Sequence, residues 1–215
     1  MKILGVSLGT KNGNNDTMCR VALEAAKNAG AEIEFIHLFD WDIKYCSGCV
    51  ACSRALVMGK GMVCTQKDDY KAFYEKMVEA DGVLFVDPIF ESGASGLFHA
   101  ITDRMGPGHD AGMMLGANFQ MLEKTGKGLD PKYFRQKPVS FVGIGGSDWA
   151  VRVETDHAMW ACSFFSFPVG FIILCNRNLH FCIIFHYFFC CFYKVTSDLL
   201  HTLDLVILHD NVFAP

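Results

Sequence analysis

The stretch "KILGVSLGTKNGNNDT", residues 2–17, decides the fold. Its first half, KILGVSL, is a short apolar run rich in β-forming residues, and its second half, GTKNGNNDT, is polar and dense in Gly and Asn. An apolar run of that length bounded by turn residues reads as a buried strand feeding a loop. A helical pattern follows at once. Over residues 15–29 the apolar side chains Met18, Val21, Ala22, Ala25 and Ala29 recur at helical spacing, and Gly30 supplies a stop.

The same unit repeats along the chain. AEIEFIHL (31–38) alternates like a second strand, and Tyr70, Phe73, Tyr74, Met77 and Val78 mark a second helix, with Thr65 and Asp68 at capping-box spacing before it. GVLFVD (82–87) is a third apolar strand, PIFESGAS (88–95) a loop, and Leu97, Ala100, Ile101 and Arg104 begin a third helix. Residues 106–137 read as an insertion rich in Gly and Met, one that would serve as a dimer contact or a lid. PVSFVG (138–143) is a fourth strand, IGGSD (144–148) a loop, and 149–162 a helix. Strands alternating with helices predict an α/β protein with a doubly wound parallel sheet, because right-handed crossovers place a helix between successive parallel strands. Ligands in such sheets bind beyond the carboxyl ends of the strands. Loops 7–17, 87–93 and 144–148 lie there, each bearing Gly, Ser or Asn and few bulky side chains.

Composition narrows the function. A chain of 215 residues suits one domain with a sizeable core, with or without an appendage. A net charge of −4 and the lack of long Lys/Arg runs argue against nucleic acid as a partner. The chain runs straight into strand-like sequence with no hydrophobic leader, so its ten cysteines are expected as reduced thiols in the cytoplasm rather than as a secreted disulfide framework.

The first loop has the chemistry of an anion site. A phosphate needs several N–H and O–H donors converging at a helix N-terminus, where the helix dipole also favours negative charge. Ser7, Thr10, Asn12, Asn14, Asn15 and Thr17 supply side-chain donors, while Gly9 and Gly13 let the backbone approach. A solvated Asn/Gly turn is the alternative. A second motif, "YCSGCVACSRALVMGKGMVC" (45–64), sets Cys46, Cys49 and Cys52 three apart and Cys64 further on. This spacing fits an iron–sulfur cluster, a zinc site or a loop of plain thiols, and does not choose among them.

Four ordered pieces, "KNGNNDT", "CSGCVAC…CTQKDD", "DPIFESGASGLFHAITDR" and "VGIGGSDW", resemble the flavodoxin-like NAD(P)H-dependent FMN reductases, and within them the iron–sulfur flavoproteins, over about residues 1–170. The resemblance implies a flavodoxin-like sheet in 2-1-3-4-5 order and bound FMN. Electrons would pass from NAD(P)H to a quinone, flavin or other small-molecule acceptor. It implies that Pro88, Ile89, Phe90, Glu91, Ser92 and Gly93 run along the isoalloxazine edge, with Phe90 stacked on the ring or plugging the core, and that Gly145, Gly146 and Ser147 close the opposite side. It also implies that Cys46, Cys49, Cys52 and Cys64 are the candidate ligands of a [4Fe-4S] cluster, although the gap before Cys64 is longer than the family pattern. The first loop departs from the family's Gly-Ser-Pro-Arg start and Thr at Leu8, Thr10 and Asn15. Asp103 and Arg104 match a family pair, read as a structural salt bridge. His37, His99 and His157 show no metal-ligand spacing and are expected as ordinary core or surface residues. No catalytic side chain is required, since the flavin N5 itself accepts hydride.

The alternatives are an iron–sulfur flavoprotein passing single electrons to a ferredoxin-like carrier, and an inactive paralogue or truncated gene product. A homo-oligomer is expected. The resemblance ends near Ile172, so residues 1–171 are expected as the FMN-binding domain and 172–215 as an atypical apolar tail. That tail would be a frame-shifted gene end, with the last elements of the fold incomplete. Its apolar runs, 161–175 and 179–193, are each shorter than the roughly 20 residues a membrane span needs.

Overall fold

The computed structural model describes residues 1–58, 64–91, 93–106, 111–134 and 137–145, the backbone of 166–175, and Val153, Asp156, His157 and Trp160. Most of the helix expected at 149–162, and the tail from 176 onward, lie outside the described residues.

Five strands, β1 (Lys2–Ser7), β2 (Glu32–His37), β3 (Gly82–Pro88), β4 (Lys137–Gly145) and β5 (Ser166–Cys175), form one sheet in the order β2-β1-β3-β4-β5. Every neighbouring pair is parallel, with Ile3 in register with Ile33 on one side and Gly82 on the other. This is the flavodoxin-like order expected from the resemblance, and it places the ends of β1, β3 and β4 side by side. β5 sits at the edge, where the register skips Val169 and Pro168 is tolerated because an edge strand needs fewer donors.

The helices are α1 (Asn14–Asn28), α2 (Ala51–Val57), α3 (Tyr70–Glu79), α4 (Gly96–Met105) and α5 (Ala111–Thr125). Side chains alternate across the sheet and so feed two cores. Leu4, Val6, Phe85 and Phe141 pack with Tyr70 and Phe73 of α3 and with Phe98 and Ile101 of α4. On the other face, Val86 and Val142 pack with Cys19 and Leu23 of α1.

The helix read at 15–29 is α1; its buried residues are Asn15, Asp16, Cys19, Leu23 and Ala26, with Met18 packed beside them and Val21, Ala22 and Ala25 only half-buried. The cause is Gly5 at the centre of β1. A Cβ there would lie 2.7 Å from Leu23 Cδ1 and 2.8 Å from Cys19 Sγ, so the missing side chain is the seat into which those two fit. Gly30, at φ 88, ends the helix as expected, with the Ala31 N–H returning to the Ala26 carbonyl. The capping box at Thr65 and Asp68 does not form. α3 starts at Tyr70 with Asp69 as its N-cap, and Asp68 Oδ1 instead accepts the Tyr70 N–H at 3.3 Å.

Two helices were not legible in the sequence. α2 lies within the cysteine loop, and α5 within the insertion. They pack on each other through Leu56, Met114 and Ala117, with Leu129 and Tyr133 alongside. No helix among the described residues is long and apolar enough to cross a membrane.

Candidate functional site

The loop after β1 turns tightly before α1. The Gly13 N–H donates to the Thr10 carbonyl at 3.0 Å, and Asn12 takes a left-handed φ of 57. Asn14, Asn15 and Asp16 form the first turn of α1, whose N–H groups have no partners within the helix. Thr10, Asn12 and Asn14 are exposed at its mouth, whereas Asn15 is buried. The Asn15 side chain lies across Gly9, where a Cβ would come within 2.5 Å of its Cγ, and its Nδ2 has no hydrogen-bond partner. A buried amide donor without an acceptor, at a helix N-terminus, is the arrangement an oxyanion completes.

Two sequence-derived donors are engaged elsewhere. The Ser7 hydroxyl is fully buried and donates to Asp16 Oδ1 at 2.5 Å, and the Thr17 hydroxyl turns back to the Gly13 carbonyl at 3.1 Å. Asp16 was not singled out from sequence, although an acid in a first helical turn is a recognisable signal. Its other oxygen accepts the Asn12 N–H at 2.7 Å, and His37 Nε2 lies 3.5 Å from Oδ1. His37, expected as ordinary, is buried at the end of β2 with both ring nitrogens lacking hydrogen-bond partners. On this side a cavity of about 410 Å³, lined by Lys11, Asn12, Asp16, Arg20, His37, Asp40, Trp41 and others, opens around β2. It borders the first loop and lies on the opposite side of β1 from the loops after β3 and β4.

The loop after β3 leaves the same edge of the sheet, on the other side of β1 from that cavity. The Ile89 N–H donates to the Ile144 carbonyl at 2.9 Å, tying this loop to the end of β4. The Gly93 N–H closes a turn on the Phe90 carbonyl at 3.0 Å, and Glu91 takes a φ of 44. Such a conformation costs a side-chain-bearing residue on the order of 1 kcal/mol and persists where the surroundings hold it. Phe90 is 60% exposed, so it does not plug the core. A Cβ on Gly145 would lie 2.8 Å from Ile89 Cβ, so glycine there is what lets the two loops touch. Ser92, Gly146 and Ser147 lie outside the described residues.

The cysteine loop is closed by a buried ionic clamp. Arg104, in the last turn of α4, donates from Nη1 to Asp68 Oδ2 and to the Lys44 carbonyl, and from Nη2 to Asp68 Oδ1 at 2.9 Å and Cys64 Sγ at 3.2 Å. Its partner is therefore Asp68, across the fold, and not the neighbouring Asp103, which is exposed. Burial alone would raise the Asp68 carboxyl, but the guanidinium and the amides of Lys44 and Tyr70 outweigh it and hold the group below its ordinary range. Within the loop, Cys46 Sγ accepts the Gly48 N–H, and Cys49 Sγ lies 3.7 Å from the Thr65 hydroxyl. The Ala51 N–H, assisted by Thr65, pulls the exposed Cys49 thiol down. Among the described residues no three His, Cys, Asp or Glu side chains come together as metal ligands, so the four thiols as they stand do not gather around one centre.

The chain belongs to the NADPH-dependent FMN reductase family, whose pattern matches residues 1–171. It is similar to an iron-sulfur flavoprotein of Archaeoglobus fulgidus, 35% identical over 48% of this chain and 48% of the relative. A second iron-sulfur flavoprotein, from Methanocaldococcus jannaschii, is 34% identical over 59% of each chain. Among solved structures, a flavone reductase superposes with a TM-score of 0.66 at 39% identity, over 80% of this chain and 52% of its own. The chain thus spans about half the length of these relatives.

Proposed function

We propose that the chain is an FMN-dependent oxidoreductase, taking electrons from NAD(P)H and passing them to a small-molecule acceptor such as a quinone or free flavin in the cytoplasm. One observation carries the reading: the buried, unpartnered Asn15 Nδ2 at the start of α1, over a glycine that leaves no room for a Cβ. In this reading Asn15, with the free N–H groups of Asn14 and Asn15, holds the phosphate of FMN, and Thr10, Asn12 and Asn14 complete the rim. Pro88, Ile89, Phe90, Glu91, Ser92 and Gly93 form one wall for the ring, and Gly145, Gly146 and Ser147 the other. When bound, the flavin supplies hydride acceptance at N5. The protein's part is to orient the ring between two loops, exclude water from one face and leave Phe90 free to cover the other. Asp16 opposes a second negative charge nearby, and its two oxygens are taken up by the Ser7 hydroxyl and the Asn12 N–H.

Titrating apoprotein with FMN tests this. Asn15→Ala should weaken FMN at least tenfold, since a hydrogen bond to a charged group is worth roughly 1.5–3 kcal/mol. Riboflavin, which lacks the phosphate, should be little affected. Equal FMN affinity in both proteins would remove the assignment. The relatives named as iron-sulfur flavoproteins favour a second reading, in which Cys46, Cys49, Cys52 and Cys64 close around a [4Fe-4S] cluster and a ferredoxin-like carrier is the partner. Anaerobic reconstitution followed by iron analysis decides it: about four irons per chain, lost in Cys49→Ser with FMN retained, is the outcome that reading requires.

A further inference from the structure

Asp87 and His157, 70 positions apart, meet in the core beneath the loop after β3. Asp87 is the penultimate residue of β3 and is fully buried. Its Oδ2 accepts the Ser95 N–H at 3.0 Å and lies 3.0 Å from His157 Nε2. Ser95 is in turn the N-cap of α4, its hydroxyl accepting the Phe98 N–H at 3.2 Å. The carboxylate therefore bridges the two ends of segment 88–94, the wall proposed for the flavin ring. His157 follows β4 in the chain and is buried, stacked on Phe141 at 4.6 Å and edge-on to Phe98 at 4.3 Å.

We propose that Asp87 and His157 are positioning residues for the flavin ring, a buried pair that sets the span of loop 88–94 from beneath. A carboxylate in an aromatic core is costly unless it is paired and hydrogen-bonded. Asp87 Oδ1 has no hydrogen-bond partner, so the bonds at Oδ2 carry the compensation among the described residues. The imidazole and the Ser95 N–H together fix the direction of Oδ2, so withdrawing the imidazole frees the carboxyl to rotate, with its unpartnered Oδ1, away from the geometry that holds the Ser95 N–H. The loop would then lose its second anchor while keeping the first, the Ile89 N–H on Ile144. His157 thus couples the chain after β4 to the shape of the wall after β3. Its contribution falls on the ring and not on the phosphate, which is held at the far loop.

This rests on the FMN reading, and the experiment separates the two. His157→Phe keeps the stack on Phe141 and removes the nitrogens, while His157→Gln restores a donor. Two readouts are taken: exchange of the Ser95 amide in apoprotein by NMR, and affinity for riboflavin and FMN. In His157→Phe the Ser95 amide should exchange at least tenfold faster, and both flavins should weaken by the same factor, about tenfold, so that their ratio is preserved. His157→Gln should recover most of both. If His157→Phe gives no cooperative melt, Asp87→Asn is read the same way, with the same direction expected. Native-like Ser95 exchange, or native-like riboflavin affinity, in the folded variant overturns the positioning role. A drop confined to FMN, with riboflavin unchanged, also overturns it. Failure of the unsubstituted protein to bind either flavin rejects the FMN reading itself, a result distinct from all of these.

Discussion

Removing the Arg104 guanidinium should destabilise the fold by about 3 kcal/mol, toward the low end of the range for breaking a buried ion pair. The estimate comes from what stays behind. The side chains of Arg104 and Asp68 are 1% and 0% exposed, so Asp68 cannot reach water without moving the loop. In Arg104→Ala it keeps two amide donors, Lys44 N–H at 3.0 Å and Tyr70 N–H at 3.3 Å, which soften the loss. The Lys44 carbonyl, Cys64 Sγ and the Tyr70 ring, 4.2 Å from the guanidinium carbon, lose a partner as well. Arg104→Lys keeps the charge without the fork and should recover less than half, since one ammonium cannot serve both carboxylate oxygens, a carbonyl and a thiol. Urea denaturation of the apoprotein measures the difference, and a lowering of Tm by roughly 6–12 °C should accompany it. The acid limb supplies a second check. Asp68 is held below its ordinary value, so the stability it confers is fully present above about pH 4 and is lost as pH falls through the folded-state value. The gap between wild type and Arg104→Ala should therefore be full near neutral pH and narrow as pH falls through the carboxylate range, where Asp68 takes up a proton more readily in the variant. A loss under about 1 kcal/mol, or a gap that widens toward acid, would refute the clamp.

Three further outcomes follow from particular contacts. Gly5→Ala should cost about 1–3 kcal/mol by denaturant melt, because its Cβ meets Leu23 and Cys19 at under 3 Å, and Leu23→Ala should recover part of that loss in the same background. Lys137 Nζ donates to the carbonyls of Met77, Val78 and Ala80 at 2.6, 2.7 and 3.0 Å, closing the end of α3, so Lys137→Met should lower stability by about 1–2 kcal/mol and speed amide exchange in the last turn of that helix. Iodoacetamide at neutral pH should label Cys49 before Cys46, and Thr65→Val should slow it, whereas Cys19, whose thiol burial pushes up to about 12, should stay unlabelled in native protein as read by peptide mass.

Four of the five strands, β1 to β4, and the order of the loops that follow them are legible in the amino-acid pattern, whereas β5 falls in the run that reads as the start of the tail. Those signals are local: an apolar run, a turn residue, a change of period. KILGVSL next to GTKNGNNDT is a strand and a loop in any parallel sheet, and Gly30 ends α1 because a left-handed position favours the residue without a Cβ. What a side chain meets across the fold is not local. Which residues of α1 are buried depends on the hollow at Gly5, on another element, and helical spacing alone does not show it. α2 and α5 went unread because each is held by the other through Leu56 and Met114 rather than by a strong period of its own. Phe90 was ambiguous as an apolar residue in a loop until its exposure was known. The Asp68–Arg104 and Asp87–His157 pairs join residues 36 and 70 positions apart. No spacing rule reaches that far, and the packing of α4 and of the chain after β4 against the sheet sets which carboxyl group Arg104 and His157 each meet.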